Sequence, residues 1–146
     1  MKMSPHLSTI TTRQRTILLT AAVFGLLGVL LGTFGAHGVQ QKVSAYDYKN
    51  YEKGVQYHYV FTLMLFAVGI MSVLFWHVRG WFGVFVFFAL GIVFFSGSLY
   101  FIATQSIHQA VLPGFIYLVT PMGGLCFMIG WVWLIVTLAK LKTNPA

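Results

Sequence analysis

Four apolar stretches, roughly Thr16–Ala36, Val55–His77, Trp81–Thr104 and Pro121–Ala139, fill most of this 146-residue chain, and none holds a charged side chain. A hydrocarbon core roughly 30 Å thick is crossed by about 20 helical residues rising about 1.5 Å each. In lipid a spanning segment must satisfy its own backbone hydrogen bonds, so such runs are helices. The chain therefore reads as an all-α, integral membrane four-helix bundle forming one domain over residues 1–146. Charged residues make up only 8% of it, against about 25% in a soluble domain, so a water-exposed surface of ordinary size cannot be built. The nine basic residues outnumber Asp47 and Glu52, but they flank the apolar runs instead of forming a patch. That placement holds helix ends against anionic headgroups and argues against nucleic acid as a partner.

The same charges orient the helices. Lys2, Arg13, Arg15, Arg79, Lys140 and Lys142 fall on one side, and Lys42, Lys49 and Lys53 on the other with both acids. Positive charge gathers in the cytoplasm, which places both termini there. Arg13 and Arg15 ahead of Ile17–Leu31, with Thr33 and Gly35 beyond, also resemble a secretory leader. Regular glycines in that run favour a retained helix.

The connections carry their own signals. His77-Val78-Arg79-Gly80 is short, which makes the second and third helices antiparallel neighbours. Gly38–Gly54 reads as a short amphipathic helix, with Asp47 as the N-cap of a helix that projects from the membrane. In the third connection Gln105–Gln109 is polar and Pro113-Gly114 breaks the chain. Thr120-Pro121 then looks like a cap followed by proline at the first helical position. The fourth helix is expected to start at Pro121, with Val111–Val119 lying flat at the interface. One long helix from Gly114, kinked at Pro121, is the alternative.

Small residues give the clearest packing signal. Ala21, Gly25, Gly28, Gly32 and Gly35 repeat at steps of four, three, four and three residues, a glycine seam down one face of the first helix. Bilayers supply little hydrophobic drive between helices, so close backbone approach supplies the contact energy. The seam does not say whether its partner is another helix of this chain or a second subunit; packing within the chain is the simpler reading. Gly91 with Ser96-Gly97-Ser98, and Gly123-Gly124 with Gly130, are expected to serve the third and fourth helices likewise. Ser96 and Ser98 are expected to bond back to their own helix, and Cys126 to act as a small hydrophobe.

Gly32-Thr33-Phe34-Gly35-Ala36-His37-Gly38, Phe95-Ser96-Gly97-Ser98-Leu99-Tyr100 and Thr120-Pro121-Met122-Gly123-Gly124 together resemble the signature segments of a family of small bacterial membrane proteins, domain-of-unknown-function family 423. The order and spacing of the segments match across all four spans. The resemblance implies a multi-pass protein of the bacterial inner membrane with no established activity. It also implies a histidine where this chain has Phe61, and His58, three residues earlier, is the nearest substitute on that face.

The remaining polar residues define a candidate ligand cleft at the outer face: His37, Glu52, Gln56, His58, Ser96, Ser98, Tyr100 and Thr120. Histidines with carboxylates can bind metal or relay protons, but these are scattered without ligand spacing, so neither a metal nor another cofactor is expected. The plainer readings are His37 as a cap, Glu52 and Gln56 as a solvated first turn, and the rest as interfacial. No carboxylate lies within a span, which argues against a proton pump or ion-coupled transporter. No nucleophile–base pair, phosphate loop or redox cysteine pair is visible. The expected role is therefore non-enzymatic: packing, assembly, or an accessory subunit in a homo-oligomer or larger membrane complex. A small transporter or a lipid- or quinone-binding protein using the outer cleft is the alternative.

Overall fold

Side chains cap the first two long helices, and one of them also ties neighbouring helices together. The computed structural model describes residues 9–109 and 111–142; Lys2, used in the charge argument above, lies outside them. Helix α1 (Thr12–Val39) begins at a reciprocal cap. Thr11 Oγ1 accepts from the Gln14 amide at 3.3 Å, and Gln14 Oε1 accepts from the Thr11 amide at 2.8 Å. Gln14 is buried, and its Nε2 donates to the Ser72 carbonyl at 2.6 Å. Ser72 lies in the last turn of α2 (Ala45–Leu74), where carbonyls lack partners within their own helix. One side chain thus caps one helix and satisfies the end of the next.

Helix α2 starts earlier than its apolar run. Its N-cap is Ser44, not the expected Asp47: Ser44 Oγ accepts from the Asp47 amide at 3.1 Å and donates to the Asp47 carboxylate at 2.7 Å. Asp47 sits in the first turn, where a carboxylate complements the helix dipole. Thirty residues make α2 about 45 Å long, so its first turns stand clear of a core roughly 30 Å thick. Polar residues there continue a helix that hydropathy alone would end.

Helix α3 (Trp81–Ala103) follows a tight turn closed by Gly80. Gly80 has φ +137°, and a side chain there would also meet the Thr137 hydroxyl; both demand glycine. Two of the long helices contain a π-helical turn, Gly35–Val39 at the end of α1 and Ile92–Ser96 within α3. In the first, the Gln40 amide reaches back to the Gly35 carbonyl at 3.0 Å. His37 lies exposed in this turn and is not a cap.

The last helix overturns the expected boundary. Helix α4 (Ile116–Leu138) contains Pro121 inside it. It opens through tight bonds from the Ile116 amide to the Pro113 carbonyl and from the Leu118 amide to the Phe115 carbonyl, at 3.0 and 2.9 Å. These stand in for a side-chain cap. Thr120 is not an N-cap because its hydroxyl is engaged with Ser98 instead, and Ile116–Val119 form the first turn of α4 instead of a flat segment. The short helix Gln105–His108 lies between α3 and α4.

Helices α2 and α3 are central, with α1 laid against α2 and α4 against α3. The core runs through Ile17, Ala21, Phe61, Leu65, Val68, Val84, Phe88 and Phe127. The glycine seam is used inside the chain. A methyl on Gly25, Gly28, Gly32 or Gly35 would meet Thr62, Tyr59, Tyr59 and Tyr51 of α2, the last at 2.5 Å. Gly123 packs directly on the Phe95 backbone of α3, with Cα 2.7 Å from where a Cβ would stand. Gly97 and Gly124 have nothing within 4 Å, so neither makes the packing contact expected of it. Each faces open space instead of a neighbouring helix.

Candidate functional site

The end of the bundle that holds the α1–α2 and α3–α4 connections, here the loop end, carries nearly all the residues singled out from the sequence. The structure divides them into three groups.

The first is a buried polar joint. His58 is buried, with Nε2 2.9 Å from the Phe24 carbonyl and Nδ1 3.3 Å from the Tyr100 hydroxyl. A carbonyl only accepts, so Nε2 carries the proton and Nδ1 accepts from Tyr100. Three helices meet in this one imidazole: α2 supplies the ring, α1 the carbonyl and α3 the phenol. Tyr51 packs tilted against Tyr100 with ring centroids 4.9 Å apart and donates to the Leu31 carbonyl at 2.8 Å. One turn deeper on the same faces lie Thr62 and Ser96. Both are buried, and among the described residues neither hydroxyl has a hydrogen-bond partner.

Phe61 faces elsewhere. Its ring stacks on Phe127 of α4, centroids 3.5 Å apart and planes at 9°. His58 therefore does not replace a histidine at position 61; the two residues address different neighbours, three residues apart being about 60° off on a helix.

The second group is a hydroxyl bridge between α3 and α4. Ser98 and Thr120 share a hydrogen bond of 2.7 Å, and Ser98 also donates toward the Phe95 carbonyl at 3.0 Å. The third group is peripheral: His37, Glu52 and Gln56 are exposed. Glu52 and Gln56 border a shallow groove of about 220 Å³ with Gly32, Gly35, Tyr48 and Val55. The eight residues thus do not share one cleft. Among the described residues, no three His, Cys, Asp or Glu side chains converge.

A larger cavity, of about 830 Å³, opens at the same end between the first turns of α2, the C-terminal end of α3 and the start of α4. Tyr46, Asp47, Asn50, Gln105, Ser106, Gln109 and Thr120 give it polar edges, while Leu99, Ile102, Val111 and Tyr117 give it an apolar wall. Of these only Thr120 was a sequence candidate. The polar run Gln105–Gln109 was the available signal, but nothing in it pointed to α2 as the opposite wall. Gln109 closes the short helix in the left-handed region, φ 51°. A left-handed residue of this kind is a common way to end a helix, and the Gln109 amide closes it on the Gln105 carbonyl at 2.9 Å.

A family model described as a protein of unknown function (DUF423) matches residues 31–124. Both limits of that match, Leu31 and Gly124, lie in the halves of α1 and α4 nearest the loop end. UPF0382 membrane protein YwdK of Bacillus subtilis is 38% identical over 135 residues, covering 87% of this chain and 98% of its own. UPF0382 membrane protein SSP2132 of Staphylococcus saprophyticus is 36% identical over 128 residues, covering 88% of this chain and 100% of its own. UPF0382 inner membrane protein YgdD of Escherichia coli is 36% identical over 134 residues, covering 88% and 93%. No solved structure matches. The chain belongs to the DUF423 family, and it is a membrane protein of a family without an assigned activity.

Proposed function

We propose that this DUF423 member is a non-enzymatic binding protein of the bacterial inner membrane, with both termini in the cytoplasm. Its cavity at the loop end receives the polar head of an amphipathic, membrane-borne ligand. The cavity itself carries the reading: it joins an apolar wall to a few convergent polar side chains, the usual make-up of a small-molecule site. A non-catalytic role is supported by the structural use of three polar side chains at this end. Both ring nitrogens of His58 and the hydroxyls of Ser98 and Thr120 are engaged in holding helices together. The orientation follows from Arg13, Arg15, Arg79, Lys140 and Lys142 at the opposite end.

The test is native mass spectrometry of the full chain released from lipid nanodiscs. A single lipid or quinone species held by the wild type and lost from Asn50→Leu with Gln105→Leu supports the reading. Equal retention by the variant removes it. A fusion reporter at the C-terminus that is active only in the periplasm would refute the orientation.

The assembly reading keeps one observation. Helix α1 packs almost wholly on α2 and turns Leu19, Val23, Leu26 and Leu30 outward, so a second polypeptide can be seated there. The same spectra decide it, by the presence or absence of a stoichiometric second chain. Self-association no longer draws on the glycine seam, which is filled by α2.

A further inference from the structure

We propose that the opposite, basic end of the molecule holds a defined site for the phosphate of an anionic phospholipid. The site is the cavity between the first turn of α1 and the α2–α3 connection, about 410 Å³, bordered by Arg13, Gln14, Ser72, Trp76, Arg79 and Trp81.

Arg13 and Arg79 are 66 positions apart and reach this cavity from different elements. The fold, not the sequence, brings the two arginines to the border of one cavity. Arg13 lies over the Phe82 ring, its guanidinium carbon 5.5 Å from the centroid. Such a cation–π contact holds the group beside the cavity, where its N–H donors can fork onto an oxyanion. Helix α3 starts at the cavity wall with Gly80 as its N-cap and no side-chain hydrogen bond there, so its first amides add donors and positive potential. Gln14 and Ser72 close the floor through their own hydrogen bond of 2.6 Å.

No acidic side chain neutralises this cluster. The chain's two acids, Asp47 and Glu52, lie in the first turns of α2, and Ser72 is about 30 Å further along that helix. Two arginines on a cavity without a carboxylate call for an anion from outside the chain. The depth selects a lipid phosphate over a free one. Trp76, exposed at the cavity rim, belongs at the headgroup level, and Ile17, Val78 and Phe82 supply an apolar wall along which an acyl chain can descend. Basic pockets between membrane helices bind anionic headgroups in this way.

The experiment uses the full chain in neutral detergent, titrated with phosphatidylglycerol, phosphatidylcholine or inorganic phosphate and read by native mass spectrometry. One phosphatidylglycerol per chain is expected, held about tenfold or more tightly than phosphatidylcholine. Arg13→Gln with Arg79→Gln should weaken that retention about tenfold or more. Arg15→Gln with Lys142→Gln removes the same charge outside the cavity and should change it less than about twofold. Equal retention of the two lipids overturns the proposal, as does an equal loss from the two double variants, which would mean a diffuse basic belt. Inorganic phosphate displacing phosphatidylglycerol at equal concentration overturns the lipid assignment. Should the Arg13 and Arg79 double variant fail to elute as the wild type does, Arg79→Gln alone, on an exposed turn, is judged by the direction of the same change.

Discussion

The α1–α2 and α3–α4 joints use the same device and fill it differently. Both set glycines on one helix against aromatic rings on the other. Between α1 and α2 the rings carry polar ends that reach across: Tyr51 donates to the Leu31 carbonyl and His58 to the Phe24 carbonyl. Between α3 and α4 the fillers are mostly hydrocarbon. Gly91 meets Phe127, Gly130 meets Phe88 and Gly123 meets the Phe95 backbone, with the Ser98–Thr120 bond as the polar exception. In a bilayer, packing supplies most of the association energy and an interhelical hydrogen bond averages about 0.6 kcal/mol. The comparison therefore assigns stability chiefly to the α3–α4 joint and directional register to the α1–α2 joint.

The severest way to break that assignment is Gly123→Val. Its added carbons would meet backbone, which cannot swing aside as a side chain can, so a loss of about 3 kcal/mol is expected. Unfolding of the full chain in detergent, followed by helical circular dichroism, measures it; a loss below about 1 kcal/mol would deny α3–α4 its larger share.

Gly35→Ala comes next, at about 1–3 kcal/mol, because the Tyr51 ring stands 2.5 Å from the new carbon and is tethered by its hydroxyl. Tyr51→Leu should absorb part of that cost, making the double variant less damaged than the sum of the singles. Strict additivity would mean that the ring is not what the seam was shaped to fit.

His58→Leu removes two hydrogen bonds and should cost about 1 kcal/mol, against about 0.6 for Thr120→Val. If Thr120→Val proves the more harmful, the α3–α4 joint is the one specified by polar bonds. The smallest effect belongs to Gly97→Ala and Gly124→Ala. Neither carbon would touch anything within 4 Å, and alanine is the better helix former by about 0.5–1 kcal/mol. Both variants are expected to unfold no earlier than the wild type.

Much of this architecture was legible in the order of residues. Hydropathy located four helices because the bilayer is a strict solvent with one length scale. The period of Ala21, Gly25, Gly28, Gly32 and Gly35 disclosed a close helix contact because small residues at helical spacing have few other uses in lipid. Helix ends were harder. The projecting start of α2 was expected, but its cap is Ser44 and not Asp47, and Ile116–Thr120 is helical ahead of the limit that Pro121 suggested, since capping and tight first-turn bonds decide ends locally. The candidate site was least legible. His58 answers a backbone carbonyl, which leaves no side-chain signature at Phe24. The cavity joins Asn50 to Gln105 through a packing arrangement that one sequence does not encode as a pattern.

The π turn at Ile92–Ser96 gives this chain an arithmetic of its own. A π turn is an α-helix carrying one residue too many, and one residue is worth about 100° of rotation. Ser98, Tyr100 and Ala103 all lie beyond it, so the directions in which they point depend on that surplus being kept. Deleting any single residue from the segment would leave every apolar stretch intact by hydropathy. It would nevertheless turn Tyr100 from His58 and Ser98 from Thr120 together. In a membrane, where composition is nearly indifferent to rotation about the helix axis, residue count acts as a dial that sets which side chains face each other.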